Sequence, residues 1–388
     1  RGARRQPMSR VLVADSTYDT CREAVDRAFA TFPIDIRGKR VALKMNALKA
    51  GDPERYAYVT HYKLIKAVIE KLETLDPAEI VAGDSVGTEF YGDSEHVFDQ
   101  TRLKEVAGPH YRNFNKNLAV VELKKPFDRK VAVLKDVLEA DVYISVPKMK
   151  THGLTMISGS VKNNFGLLAG AQKAWYHYYS IKPQTFAQIL IEMFCLRPPD
   201  LVIMDAILAM EGYGPASPET RWVNKVLAAT DAVALDTVLA KIVGFTVDDV
   251  PYLGLARQFA LGETDLRAIE ICGEANTIEA YHRPTPSQSS FCYRAGVGSG
   301  TTSLDFFRQR VAYRPAISGQ NCRHAQGCDM CIDICPSGAL SKGEQAPALE
   351  ASKCMLCSAC KEVCEASGLE LLADEEIIKQ LAREESKI

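Results

Sequence analysis

The chain lacks several features that would assign it quickly. No apolar run in its 388 residues approaches the roughly 18 residues a membrane helix needs, so no membrane-spanning segment is expected. The formal net charge is only −2, which argues against a partner held by phosphate-backbone electrostatics, so no nucleic-acid partner is expected. Neither G-x-G-x-x-G nor a P-loop G-x-x-x-x-G-K-[ST] occurs, so nucleotide hydrolysis has no signature. Flavin sites often carry no short motif, and a flavin remains open. The basic opening Arg1 to Pro7 is not followed by the apolar stretch of a secretion signal. Residues 1–8 therefore read as a leader or remnant, and a cytoplasmic setting is expected.

Cysteine is where the sequence is rich. Eight of twelve cysteines fall between residues 322 and 364. Cys322, Cys328, Cys331 and Cys335 form C-x5-C-x2-C-x3-C-P, and Cys354, Cys357, Cys360 and Cys364 form C-x2-C-x2-C-x3-C. Two-cluster bacterial ferredoxins hold two [4Fe–4S] clusters in this way, the fourth cysteine of each run crossing to the other cluster. Cys322, Cys328, Cys331 and Cys364 are accordingly expected to bind one cluster, and Cys354, Cys357, Cys360 and Cys335 the other. A closed zinc tetrahedron needs only two cysteine pairs, and a disulfide framework needs an oxidising compartment. The five-residue spacer after Cys322 brings that ligand in on an extra loop.

From about residue 9 to 273, short Val/Ile/Leu runs alternate with helical periods. Strands are expected at Val11–Ala14, Val41–Met45, Ile80–Ala82, Val142–Val146, Leu201–Met204, Val226–Ala229 and Ile269–Cys272, with helices over His61–Glu73 and Asp231–Val243. This predicts an α/β domain whose mainly parallel sheet is flanked by helices. Val120–Leu123 and Val131–Leu134 read as a hairpin beside it. Residues 274–317 read as a connector, 318–372 as a small α+β ferredoxin-like domain, and 373–388 as a terminal helix.

Polar groups gather where the strands end, which is where open parallel sheets bind ligands. These are Lys44 and Asn46, Asp84 and Ser85, Lys148 and Lys150, and Asp205. The densest stretch, Pro147 to Gly153 and on to Gly170, reads as a basic loop suited to an anion, with Lys148, Lys150, Lys162, His152 and Asn163 among glycines. A solvated basic surface is the plainer alternative. Lys neighbours favour a neutral His152, fit for proton transfer. His177, in the aromatic run Trp175–Tyr179, belongs to a lid or to the core. Glu211, on a Gly/Pro turn, is a candidate acid or ligand.

These residues resemble the DUF362 family of iron–sulfur-associated proteins. The likeness rests on Leu43-Lys-Met-Asn46, Ala82-Gly-Asp-Ser85, Val146-Pro-Lys-Met-Lys-Thr-His152, Val161-Lys-Asn-Asn-Phe-Gly166, Met210-Glu-Gly-Tyr-Gly-Pro215 and Ala229-Thr-Asp-Ala-Val-Ala-Leu-Asp236. The resemblance implies a ferredoxin module beside the large domain. It singles out Lys44, Asp84, Lys148, Lys150, His152, Lys162, Asn163, Asp205, Glu211, Asp231 and Asp236, the last as a residue that orients a lysine.

Three functions follow as expectations. The first is a ferredoxin-fused reductase. His152, Lys150, Lys162 and Glu211 would be catalytic, while Lys44, Asp84, Lys148, Asn163 and Asp205 would hold a small anionic conjugated, carbonyl or quinone-like substrate. An external low-potential donor such as ferredoxin or flavodoxin would feed it. The second is an electron-transfer or docking subunit for a partner enzyme. The third is a non-redox acid–base isomerase or lyase with structural clusters.

Overall fold

A computed structural model describes residues 8–86, 94–123, 129–179, 182–212, 214–284, 313–317, 321–364, 366 and 368–373. The terminal helix expected after 373, most of the connector, and the side chains of Trp175, Tyr178 and Tyr179 lie outside the described residues.

Fifteen strands are described: β1 Ser9–Asp15, β2 Arg40–Lys44, β3 Glu79–Gly83, β4 Leu118–Leu123, β5 Arg129–Leu134, β6 Val142–Ser145, β7 Lys148–His152, β8 Met156–Ser158, β9 Leu201–Met210, β10 Thr220–Ala229, β11 Ile269–Gly273, β12 Tyr313–Ile317, β13 Leu340–Ser341, β14 Ala348–Leu349 and β15 Leu369–Ala373. Nine form one mixed sheet in the order β11-β1-β10-β9-β6-β2-β3, with β7 beside β9 and β8 beside β7. Parallel pairing joins β1 to β11, β2 to β3 and β6, and β9 to β6 and β7. Only β10 against β1 and β9, and β7 against β8, run antiparallel. The expected mainly parallel α/β sheet is therefore observed.

The apolar runs produce this layout because strands buried on both faces need apolar residues at every position. All ten residues of β9 are buried. The helix Tyr62–Glu73 packs its buried face (Leu64, Ile65, Val68, Leu72) into the core on one side of the sheet. The helices Pro183–Leu196 and Ala232–Ile242 fill the core on the other side. The expected hairpin is present as β4–β5, a separate two-stranded sheet.

The stretch expected as a basic loop is instead strand β7, all five residues of it buried. It continues β6 along the same side of the long β9: Ile144 and Ser145 pair with Leu201 and Val202, then Lys148 and Lys150 pair with Asp205 and Met210. The chain therefore runs past the carboxyl edge of the parallel strands before turning. Lys148, Lys150 and His152 occupy alternate positions of β7, with an irregularity in the pairing with β9 between Lys148 and Lys150.

The cysteine-rich segment contains two short two-stranded sheets, β12–β15 and β13–β14, and two helical turns, Met330–Asp333 and Ala359–Val363. Residues 313–317, placed in the connector by composition, belong to this unit as β12. Ile334, Met355, Leu356, Ala359 and Val363 share a hydrophobic core with the large domain. Among the described residues no helix is long and apolar enough to cross a membrane.

Candidate functional site

The site grows from the carboxyl ends of β2, β3, β6 and β7. Lys44, wholly buried, ion-pairs with Asp84 at 2.7 Å. The other carboxylate oxygen of Asp84 accepts the Ala47 N–H at 2.7 Å. A Cβ on Gly166 would stand 2.6 Å from Lys44 Nζ, so a side chain there would force the Lys44 ammonium to shift. Asn163 braces three elements. Its amide nitrogen donates to Ser145 Oγ at 2.9 Å, and its oxygen accepts from Asn46 Nδ2 at 3.1 Å. Its hydrogen-bonding capacity is thus spent on the protein, which makes it a strut for the site.

Lys148 is equally committed. Its ammonium lies 2.8 Å from Asp205 and 2.7 Å from the Tyr18 hydroxyl. Asp205 also accepts the His61 and Ile207 N–H groups at 2.9 and 3.2 Å. Tyr18 stacks on His61 with centroids 3.6 Å apart. Burial pulls the His61 imidazole down to about 4, partly opposed by Asp205. Charge and hydrogen bonds close within this group, so Lys148 and Asp205 are each other's partner.

The next lysines differ. Lys150 donates to Asn46 Oδ1 and, at 2.7 Å, to the Tyr58 carbonyl. Lys173 donates to Ser85 Oγ and, at 2.8 Å, to the Leu168 carbonyl. Lys162 makes no hydrogen bond or ion pair among the described residues; its ammonium stands 5.9 Å from the Phe165 ring centre. No carboxylate lies within ion-pair reach of any of the three among the described residues. Burial holds Lys150 well below the usual lysine range, with the fields of Lys162 and Lys148 adding to it. Burial brings Lys162 and Lys173 each down to about 7. Lys162 is densely surrounded yet keeps partial exposure.

His152 sits among these cations. Its Nδ1 accepts the Leu154 N–H at 3.2 Å, which assigns the proton of the neutral ring to Nε2. Burial first, then Lys162, His177 and Lys150, pull its pKa well down. His177 donates through Nδ1 to the Lys173 carbonyl at 2.7 Å. Its ring lies 5.7 Å from that of His152 and 4.4 Å from Phe186. Ser158 pairs across the strands with Lys150, and its hydroxyl is buried without a hydrogen bond.

Asp236 holds the turn that presents Lys162. It accepts the backbone N–H groups of Ser160 and Val161 at 2.6 and 3.0 Å, and the Tyr252 hydroxyl at 3.0 Å. Asp231, by contrast, caps the helix Ala232–Ile242. Glu211 is bound by Arg221 at 2.7 Å and by the His282 N–H at 3.2 Å, and neither of these partners belongs to the lysine group.

Sequence reasoning missed Lys173 and Ser158. It also held that no G-x-S-x-G pattern of serine esterases occurs, which is corrected by Gly83-Asp-Ser-Val-Gly87. Here Ser85 is buried and bonded to Lys173, the Leu168 carbonyl and the Gly170 N–H, and none of these partners is a histidine. The pattern therefore marks a structural junction.

The cysteines group across the two runs. Cys331 feels the charges of Cys322, Cys364 and Cys328, while Cys357 feels those of Cys335 and Cys354. Cys335, Cys354, Cys357 and Cys360 line one mostly apolar cavity. Burial raises the Cys357 thiol to about 12 and the Cys331 thiol to about 11. No disulfide joins any described cysteine. Among the described residues no three His, Cys, Asp or Glu side chains converge on a single metal-ion position. The Cys357 carbonyl accepts the Ala171 N–H at 3.0 Å, and a Cβ on Gly170 would approach that carbonyl to 2.7 Å. The cysteine unit thus touches the large domain two residues from Lys173.

A thylakoid-associated protein of Synechocystis is 29% identical to this chain over 236 residues, 58% of this chain and 70% of its own length. Among solved structures, the lactate racemase apoprotein of Thermoanaerobacterium thermosaccharolyticum aligns at 12% identity and a TM-score of 0.40, over 58% of this chain and 54% of its own. A Thermotoga maritima protein aligns at 12% identity and a TM-score of 0.37, over 56% of each chain. The chain thus spans little more than half the length of each solved structure. The model of DUF362, a domain of unknown function, matches residues 41–241, more than half of the sequence, and the chain belongs to that family.

Proposed function

We propose that this protein is an iron–sulfur oxidoreductase that reduces a small anionic conjugated, carbonyl or quinone-like compound beside Lys150, Lys162 and His152. The observation that carries the reading is a juxtaposition. Lys173, a buried lysine without a carboxylate partner among the described residues, lies two residues from the point where the cysteine unit meets the large domain, and its helix also carries His177, whose ring neighbours that of His152. A buried ammonium without a counter-ion is costly, and an anionic ligand would relieve that cost.

Cys322, Cys328, Cys331 and Cys364 would hold one [4Fe–4S] cluster, and Cys335, Cys354, Cys357 and Cys360 the other. The crossed grouping of the thiols supports this arrangement. The shared cavity of Cys335, Cys354, Cys357 and Cys360 supports the second of these sites. Such clusters supply single electrons at low potential, and a substrate with a conjugated system tolerates one-electron steps.

The residues of this chain do the rest. Lys150 and Lys162 hold the anionic group, assisted by the Ser158 hydroxyl. They also stabilise negative charge as it develops on the reacting oxygen or carbon. With its ligand absent, His152 is kept neutral by burial and the lysine field. A bound anion cancels part of that field and raises the imidazole's proton affinity. Substrate binding thereby prepares His152 to carry a proton to the reduced product. Phe165 and Phe186, in edge contact with each other, supply an apolar wall beside Lys162 and His152.

The test uses protein prepared anaerobically, reduced with a low-potential donor and mixed with fumarate, cinnamate or a water-soluble naphthoquinone carboxylate. The expected result is reoxidation by at least one of these, slowed about tenfold or more in K162M. Reoxidation equal in both proteins, or by none of the three compounds, contradicts the reading. Acid–base turnover of substrate independent of cluster reduction would select the non-redox alternative.

A further inference from the structure

The lysines without carboxylates are not equivalent. Lys150 and Lys173 each donate to two oxygen acceptors. Lys162 donates to none among the described residues, and unlike those two it keeps partial exposure. Its backbone is fixed by Asp236, which grips the two preceding N–H groups, and by Tyr252 behind that carboxylate. A free amine, held in place, reachable and flanked by cations and imidazoles, is the arrangement that activates a lysine as a nucleophile. A lysine whose only task is to attract an anion needs neither a missing hydrogen-bond set nor a proton affinity brought down to about 7.

We propose that Lys162 forms a Schiff base with the carbonyl carbon of its substrate, which is therefore a small 2-oxo acid or a related anionic aldehyde or ketone. The amine lone pair makes the C–N bond. Both amine hydrogens leave with the carbonyl oxygen as one molecule of water, and a C=N bond remains. Lys150 and Ser158, paired across β7 and β8, hold the carboxylate. The Nε2–H of His152 hydrogen-bonds to the departing hydroxyl of the carbinolamine, which receives the second amine proton by way of solvent. This deepens the proposed function by naming the reacting group. It rests on the same Lys/His site but does not depend on the clusters.

The experiment incubates the full-length protein at neutral pH with glyoxylate and sodium cyanoborohydride, then maps modified lysines by peptide mass spectrometry. Lys162 is expected to be trapped about tenfold or more faster than the exposed Lys66, because at neutral pH it presents far more free amine. Trapping should saturate with glyoxylate and be slowed by excess sulfate. Labelling of Lys162 no faster than Lys66, or rising linearly without saturation, overturns the proposal. No variant is needed, so a folding defect cannot imitate failure. Reversible cluster reduction without Lys162 trapping would remove this inference and leave the reductase reading. Trapping in a protein that binds no iron would do the reverse.

Discussion

Lys148 and Lys150 stand two residues apart on one buried strand, yet they belong to opposite kinds of site. Around Lys148, Asp205, Tyr18 and the backbone of His61 form a closed set in which the charges cancel and the donors find acceptors. Around Lys150 no carboxylate makes an ion pair among the described residues: the fields of Lys162 and Lys148 disfavour its charge, and those of Asp84 and Asp205, each already paired with another lysine, oppose them only in part. Burial alone therefore does not identify a functional lysine. The absence of compensation does, because a chain gains no stability from buried charge it leaves unanswered.

The largest effect that would sharpen this contrast comes from breaking the closed set. Lys148→Met leaves Asp205 buried without its cation and should cost about 3–5 kcal/mol in urea unfolding. Adding Asp205→Leu should recover much of the loss. A small cost for the single variant would mean that the set is not closed.

Asp236→Asn comes next. Its amide can still accept one N–H but not grip both, so about 1–3 kcal/mol should be lost. Glyoxylate trapping at Lys162 should fall more than global stability explains. Unchanged trapping would remove Asp236 as a positioning residue.

Gly170→Ala tests the junction. Gly170 has φ +53° and its Cβ would press on the Cys357 carbonyl, so a cost of about 1–2 kcal/mol and freer proteolysis of the cysteine unit are expected. Equal proteolysis would show that the junction tolerates the methyl group.

Lys162→Met should show itself chiefly in the pH dependence of stability. The folded protein releases the Lys162 proton near 7, whereas the unfolded chain holds it to about 10.5. Between these values the unfolded state binds more protons, so this group's contribution to stability rises with pH. Below about 7 both states are protonated and the burial cost is felt in full. Denaturant midpoints for the wild type should therefore climb relative to K162M from pH 7 towards 10. Parallel profiles would contradict the assignment.

Much of the fold was legible because strands β1, β2, β3 and β6 are continuous apolar runs that the core requires. The antiparallel insertion of β10 between β1 and β9 was not legible, since an apolar run carries no mark of direction. Strand β7 was read as a loop because Lys, Lys and His stand in it. Its alternation with Met149 and Thr151 was the available signal, and only the partners at Asn46, Tyr58 and Asp205 make burying those residues affordable. The motifs located the polar cluster but not the division of labour within it. Asn163 and Asp205 are struts, while Lys173 opens a helix just past the glycines where the motif reading stopped. No sequence rule could separate paired from unpaired lysines, because the pairing partners lie more than fifty residues away.

The central claim is that the one-sided lysine site faces a redox unit. The most direct measurement counts iron and sulfide in anaerobically purified protein and follows its reductive titration by electron paramagnetic resonance. The account predicts about eight irons and eight sulfides per chain, with two interacting reduced clusters. Zinc, or a single cluster that cannot be reversibly reduced, would contradict it.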